Sequence, residues 1–284
     1  MQEPIVNPIV NQTEIRVVGM SRSGSHAIIN WILSQWQGRY CYLNCAEPGT
    51  NPFSTARPLE GHSSWRANYE LDFEAERAGR FSQKSLLIYN YEDTFLGPLT
   101  RPELEARHDE YVGRSARRLD VLVLRDPFNL FASRIKSGYG EVSHAVAFRI
   151  WKQHAGEFVK RTGYLNRHPR VLINFNRWAG DVEYRRQIAR ALGLTFTDAG
   201  FENVPSVGRG SSFDGVRFDG FASSMPVNRR WKHFADDEAY VRLFDARTVE
   251  LSQAIFGEIC RVEVRMRDAV EQREPQGEPR AMSP

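Results

Sequence analysis

A chain of 284 residues, 41% hydrophobic and 26% charged, is long enough to bury one sizeable core and balanced like an ordinary soluble globular fold. Its net charge of +3 creates no demand for a nucleic-acid partner, and its Lys and Arg are dispersed apart from short clusters such as Arg114 to Arg118 and Arg229-Arg230. No run of about eighteen apolar residues provides a spanning helix. The amino terminus lacks a secretory pattern, and Cys41, Cys45 and Cys260, without metal-ligand spacing, read as reduced thiols of a cytoplasmic protein.

In chain order, residues 1–13 read as a loose arm, because Pro4 and Pro8 interrupt regular structure. Ile15, Val17 and Val18 then form a buried strand, Gly19 to Gly24 a loop, and Ser25 onward a helix whose buried stripe is Ile28, Ile29, Ile32 and Leu33. A strand feeding a tight loop that opens a helix leaves backbone N–H groups without intrahelical partners, which makes an anion site. Ser21, Ser23 and Ser25 add hydroxyls there, and Arg22 adds a planar cationic fork. The G-x-x-x-x-G spacing fits a Walker loop, but Ser25 and His26 stand where Lys and Ser/Thr should follow, so a nucleotide triphosphatase would lack its phosphate lysine.

Arg39 to Asn44 reads as a second strand. Residues 47–83, rich in Pro, Gly, Ser and charge with Phe53, Trp65, Tyr69 and Phe73, read as a substrate-facing cap containing a short helix near Leu71 to Ala78. Ser85 to Tyr91 is a third buried strand, with Glu92 and Asp93 at its carboxyl end. Thr100 and Glu103 form a capping box that predicts a polar helix to about Arg117. Leu119 to Leu124 is another buried strand, ending at Arg125, with Asp126 as N-cap and Pro127 in the first turn of the next helix. A longer helix from about Ser143 carries Phe148, Trp151, Ala155 and Phe158 as a core stripe. Arg170 to Asn174 is a further strand, and Asp181 and Gly193 bound a helix. Asp236 is expected to cap a last amphipathic helix with Tyr240, Phe244, Leu251 and Ile255 on one face; Cys260 to Met266 is left between edge strand and helix, and 271–284 reads as a disordered tail.

Strands alternating with helices predict a three-layer α/β domain, over 14–270, around a central mostly parallel sheet. Ligands in such sheets sit at the carboxyl ends of the strands. The first loop, Glu92, Arg125 and Phe175 all fall at that edge.

Two stretches together, SRSGS at 21–25 and LRDPFNLFASR at 124–134, resemble the sulfotransferases that use 3′-phosphoadenosine 5′-phosphosulfate (PAPS). The resemblance implies a P-loop, nucleotide-kinase-like sulfotransferase fold, PAPS as donor, PAP as product, and no metal. It assigns Arg22, Ser23, Gly24, Ser25 and His26 to the 5′-phosphosulfate, and Arg125 and Ser133, eight residues apart, to the 3′-phosphate. VGRGSSFDG (207–215) resembles the family's late Arg-Lys-Gly loop without its lysine, which offers Arg209, Gly210, Ser211 and Ser212 as anion donors; Trp231 to Phe234 resembles a Trp-Lys-x-His-Phe segment near it. Many relatives stack a tryptophan on adenine where this chain has Ala27, and Phe175 is the candidate replacement.

Sulfuryl transfer needs an in-line acceptor hydroxyl, a base for its proton, and cations on the departing phosphate. Arg22 is the candidate for that phosphate. The base lies between Glu92, favoured by its strand-end position, and His62 or Glu47 in the cap. The acceptor is expected to be a carbohydrate or another small molecule, and homodimerisation is left open. The competing readings are a P-loop kinase, with Asp126 the obvious residue for Mg²⁺, and a non-catalytic nucleotide-binding protein of the same fold.

Overall fold

Six strands form one sheet in a computed structural model that describes residues 8–58, 62–138, 141–160, 162–206 and 210–257. The sheet order is β3-β2-β4-β1-β5-β6. Here β1 is Ile9–Gly19, β2 Tyr40–Leu43, β3 Trp65–Ala67, β4 Lys84–Glu92, β5 Arg114–Leu124 and β6 Arg170–Asn174. Every pairing is parallel except the edge hairpin of β3 on β2. The carboxyl ends of β1, β4 and β5 therefore share one edge; Gly19 stands beside Glu92, and Val18 beside Leu122.

Alternation along the strands fills both faces. Ile15, Val17, Ile88, Val121 and Val123 pack with Ile28, Trp31 and Ile32 of α1 (Ser25–Gln35) and with Ile188 and Leu192 of a later helix, Val182–Leu192. Val18, Leu87, Tyr89 and Leu122 point to the other face, toward Leu96, Leu99, Val112 and Leu165. A third cluster lies past the strand ends, where Met20 and Leu124 meet Phe128, Phe131, Phe148 and Trp151. This is the expected three-layer arrangement of a parallel sheet covered on both sides.

Between the strands lie short helices α2 (Pro52–Thr55), α3 (Phe73–Arg77), α4 (Pro102–Ala106) and α5 (His108–Val112), followed by α6 (Pro127–Lys136), α7 (His144–Phe158), α8 (Phe175–Gly180), α9 (Val182–Leu192), α10 (Glu238–Val241) and α11 (Ala246–Phe256). The caps of α6 and α9 are those read from the sequence: Asp126 and Asp181 each accept from a first-turn N–H, as Ser143 also does for α7, and Gly193 closes α9 in the left-handed region.

Four expectations are corrected. The first strand begins at Ile9, inside the stretch read as an arm, because Asn11, Thr13 and Glu14 pair with the start of β5 in a buried polar ladder. The Thr100–Glu103 capping box does not form: Thr100 Oγ1 donates to the Gly97 carbonyl, and Arg101 is the N-cap of α4. The polar helix also ends at Val112, since Gly113 (φ 77°) turns the chain and Arg114 to Arg118 extend β5. Finally, the last helix is two: Asp237 caps α10 and Asp245 caps α11, with Asp236 capping neither. The cap region holds α2, α3 and the edge strand β3, the helix falling where it was expected. Cys260 to Met266 and the tail from 271 lie outside the described residues.

Candidate active site

The loop after β1 is built by its own polar groups. Ser23 N–H donates to the Met20 carbonyl (2.9 Å), and the Ser23 and Ser25 hydroxyls lie 2.9 Å apart beneath the turn. A Cβ at Gly19 would come within 2.4 Å of Ser25 Oγ, so a side chain there would displace the hydroxyls. Gly24 must be glycine on two counts: its φ is +91°, and a Cβ would lie 2.1 Å from the Phe175 ring. Arg22 also takes a left-handed φ of 71°, which turns its side chain across the loop. The amides of Ser25, His26 and Ala27 precede the first helical bond, from Ile28 N–H to the Gly24 carbonyl (3.2 Å), and so face outward as donors.

A buried ion pair pins this loop from below. Arg134, fully buried in α6, reaches both oxygens of Asp93 at 2.8 and 3.0 Å and the Ser21 carbonyl at 3.2 Å. Asp93 in turn accepts from Ser21 N–H (3.3 Å) and donates its own N–H to the Gly19 carbonyl (3.1 Å). Burial raises the Asp93 carboxyl's pKa even against the Arg134 charge. Arg134 follows Ser133 directly in the motif read from the sequence, yet that reading did not single it out.

Three guanidinium groups converge above. Arg125, 5% exposed, donates through Nη1 to the Arg22 carbonyl (3.1 Å) and to Ser133 Oγ (3.2 Å), and through Nη2 to the Val227 carbonyl. Its Nε has no hydrogen-bond partner among the described residues. Burial pushes its pKa down to about 10 despite neighbouring Asp126, with Arg230 and Arg22 pushing the same way. Arg22 donates to Ser212 Oγ (2.7 Å) and to the Gly210 carbonyl (3.1 Å). Arg230 bonds Ser211 Oγ (3.2 Å) and pairs with Asp214. It is delivered by a 3-10 helix, Val227–Phe234, whose Arg230 and Trp231 amides both donate to Asn129 Oδ1 of α6. The sequence showed Arg230 only as part of a basic pair.

These groups open on a cleft of about 510 Å³. One wall is apolar, with Phe175, Trp178, Phe201, Val204, Met225 and Val227. Phe175 is wedged under Gly24, beneath the Arg125 guanidinium (5.2 Å to the ring centroid) and against Trp178 (5.7 Å between rings, 26° apart). It therefore supports the loop as well as lining the cleft. Trp178, which the sequence reading did not single out, meets Phe201 edge-on at 5.3 Å, and its buried indole N–H has no partner among the described residues. The other end of the cleft is lined by His26, Asn44, Cys45, Arg57, Glu92 and Glu141. Burial, with Glu92 nearby, pushes the Cys45 thiol up to about 11, so it stays protonated near neutral pH.

Of the residues expected in the site, Arg22, Gly24, Ser25, His26, Glu92, Arg125, Ser133, Phe175, Gly210, Ser211 and Ser212 line this one cleft. Ser23 lies buried below it, and Arg209 is outside the described residues. His62 is exposed and borders a separate side cavity of about 230 Å³ shared with His26, Asn44, Tyr42 and Trp65; Glu47 is exposed and lines neither space. His26, read as a phosphate donor, has Nε2 at 2.9 Å from Asn44 Oδ1 and Nδ1 at 3.9 Å from Glu92 Oε1. Asp126 is fully buried, and its carboxylate accepts from the Asn129 backbone and side-chain amides and from Asn176.

No family model matches the chain, and no curated protein matches it. Among solved structures it is similar to the sulfotransferase domain of the olefin synthase of Synechococcus PCC 7002, at 13% identity and a TM-score of 0.45, covering 89% of this chain and 97% of that one. It is also similar to mouse sulfotransferase SULT7A1 complexed with PAP, at 12% identity and a TM-score of 0.42, covering 91% and 89%. A third likeness is the sulfotransferase domain from the curacin biosynthetic pathway, at 15% identity and a TM-score of 0.37, covering 90% and 96%.

Proposed function

We propose that this chain is a PAPS-dependent sulfotransferase that moves a sulfuryl group to a hydroxyl of a carbohydrate or other small molecule. The observation that carries the reading is the buried Arg125–Ser133 pair (3.2 Å) beside Arg22 and Arg230, directly above a glycine-bounded loop with outward amides. A lone desolvated guanidinium is costly. Three in one place, Arg230 paired with Asp214 and Arg125 with an Nε unpartnered among the described residues, suit a ligand carrying several negative charges. PAPS carries them at two separated points, and the apolar wall from Phe175 to Val227 suits the face of its adenine.

In this reading the loop amides, Ser25 and Arg22 hold the phosphosulfate end, while Arg125 and Ser133 hold the 3′-phosphate with Arg230 beside them. Their task is positioning and stabilising charge that spreads onto the departing phosphate, much as in phosphoryl transfer. The acceptor enters at the Glu92 end, where its proton is taken. A kinase reading fits less well. No lysine follows Gly24, and Asp126, the residue it would need for Mg²⁺, has its carboxylate committed to Asn129 and Asn176.

A thermal-shift comparison tests this. PAP without divalent metal is expected to raise the melting temperature, since a ligand at about a hundred times its Kd stabilises by roughly 2.7 kcal/mol. Strong stabilisation by ATP with Mg²⁺ and none by PAP would overturn the sulfotransferase reading in favour of a kinase.

A further inference from the structure

His26 sits in the wall between the main cleft and the side cavity, held in one orientation by a chain of amides. Asn44 Nδ2 donates to the Arg57 carbonyl at 2.8 Å, which settles which end of that amide is oxygen. Asn44 Oδ1 therefore faces His26 Nε2 at 2.9 Å as an acceptor only, with the Tyr42 hydroxyl, whose single proton is shared between Asn44 Oδ1 (2.9 Å) and Asn90 Oδ1 (3.0 Å), beside it. A lone pair on Nε2 would be set against the lone pairs of Oδ1. The ring must keep its proton on Nε2, and in the neutral form Nδ1 carries the lone pair.

That lone pair faces Glu92 Oε1 across 3.9 Å, with the His26 side chain 26% exposed and that of Glu92 10% exposed. The two acceptors are too far apart to share a hydrogen directly, yet one oxygen atom could lie within hydrogen-bond reach of both. Both groups line the cleft that also holds Arg22.

We infer that His26 Nδ1 is the atom that accepts the acceptor hydroxyl's proton, that Asn44 is the positioning residue that fixes its tautomer, and that Glu92 balances the imidazolium once formed. The inference rests on the sulfotransferase reading for the identity of the reaction. In the step, the O–H bond breaks and its proton goes to Nδ1. The hydroxyl oxygen bonds to sulfur, and the bond from sulfur to the bridging oxygen of the phosphosulfate donor breaks. Its electron pair leaves with the phosphate, and the proton stays on His26, held between Asn44 and Glu92. The logic is that of an imidazole oriented on one nitrogen and compensated by a carboxylate.

Two measurements separate this proposal from the reading beneath it. In the ¹⁵N-histidine-labelled full chain without ligand, with His26→Gln supplying the assignment, the neutral ring is expected as the Nε2–H tautomer, and Asn44→Leu is expected to let the Nδ1–H form appear. An Nδ1–H ring in the wild type overturns the proposal whatever the reaction is. In the second, PAP release from PAPS is followed with water, phenol and simple sugars as acceptors. His26→Gln is expected to lower kcat by about 10²–10⁴-fold with little change in KM for PAPS, and Glu92→Gln to lower it less. A raised KM with kcat intact would make His26 a phosphate contact, and loss at Glu92 alone would make the carboxylate the base; either result overturns the assignment. If PAP fails to stabilise the wild type, or the wild type releases no PAP, the sulfotransferase reading fails, and the catalytic role of His26 fails with it. The tautomer lock then still stands or falls on the spectrum.

Discussion

Arg125 bonds the loop through the Arg22 carbonyl, the late segment through the Val227 carbonyl, and Ser133 on its own helix, while its Nε remains unpartnered among the described residues. A residue placed only to brace the fold would not need so many cations around it. Arg125→Ala and Ser133→Ala are accordingly expected to weaken PAP far more than adenosine 5′-phosphate, which lacks the 3′-phosphate. A lost charge-assisted contact costs roughly 1.5–3 kcal/mol, about ten- to a hundredfold in affinity. Calorimetry with both ligands decides the matter, and equal losses would assign the pair to the fold. At this scale the sequence was most informative where residues of the cleft lie close together in the chain: Arg22, Gly24 and Ser25, and Arg125 with Ser133. It was silent on Arg230 and Asn44, which are oriented by Asn129 and the Arg57 carbonyl, contacts that no local pattern announces. It pointed to His62, an apt residue type whose backbone leads into the side cavity.

Strand, loop and helix were legible wherever apolar periodicity was clean, and helix caps where an Asp preceded the first turn, as in α6 and α9. The polar first half of β1 and the charged first half of β5 were not, because Asn11, Thr13 and Glu14 are buried beside the half-exposed polar start of β5 rather than against apolar residues. No hydrophobic period marks such a ladder. The same holds for the Asp93–Arg134 pair, which ties the end of β4 and the loop after β1 to α6. Removing one partner leaves the other buried and charged, so Arg134→Met is expected to destabilise the chain by about 3–5 kcal/mol. Adding Asp93→Asn should recover part of that loss. A double-mutant cycle by urea unfolding measures the coupling, and additive effects of the two changes would show that the pair does not act as a unit.

Over the whole molecule a second buried charge cluster lies away from the candidate site. The cleft lies at the carboxyl ends of the strands, whereas Glu14, in the first half of β1, gathers Tyr89 (2.6 Å), Ser115 (2.5 Å) and His108 (2.7 Å) around one buried carboxylate. Burial alone would raise the Glu14 pKa, but the hydrogen bond and charge of His108, the charge of Arg118 and the Ser115 hydroxyl outweigh it and hold the carboxyl at about 2, from 4.5. For His108, burial opposes the charged ring, and the hydrogen bond and charge of Glu14 overcome it, so its pKa is raised. The signs then follow. Glu14 contributes stability that is complete above pH 4.5 and lost as the pH falls toward 2. His108 contributes stability that is complete below its unfolded value of 6.5 and lost as the pH rises through its elevated folded value. The cluster therefore supports the fold most between those limits, and the acid side carries on the order of 3 kcal/mol, or roughly 5 °C in melting temperature for a chain of this size. Glu14→Gln cannot accept from all three donors and has no acid limb of its own. Its melting temperature should lie well below wild type at pH 5.5, and the gap should close as both are taken toward pH 2. Melting curves that stay parallel over that range would place the acid sensitivity of this protein elsewhere.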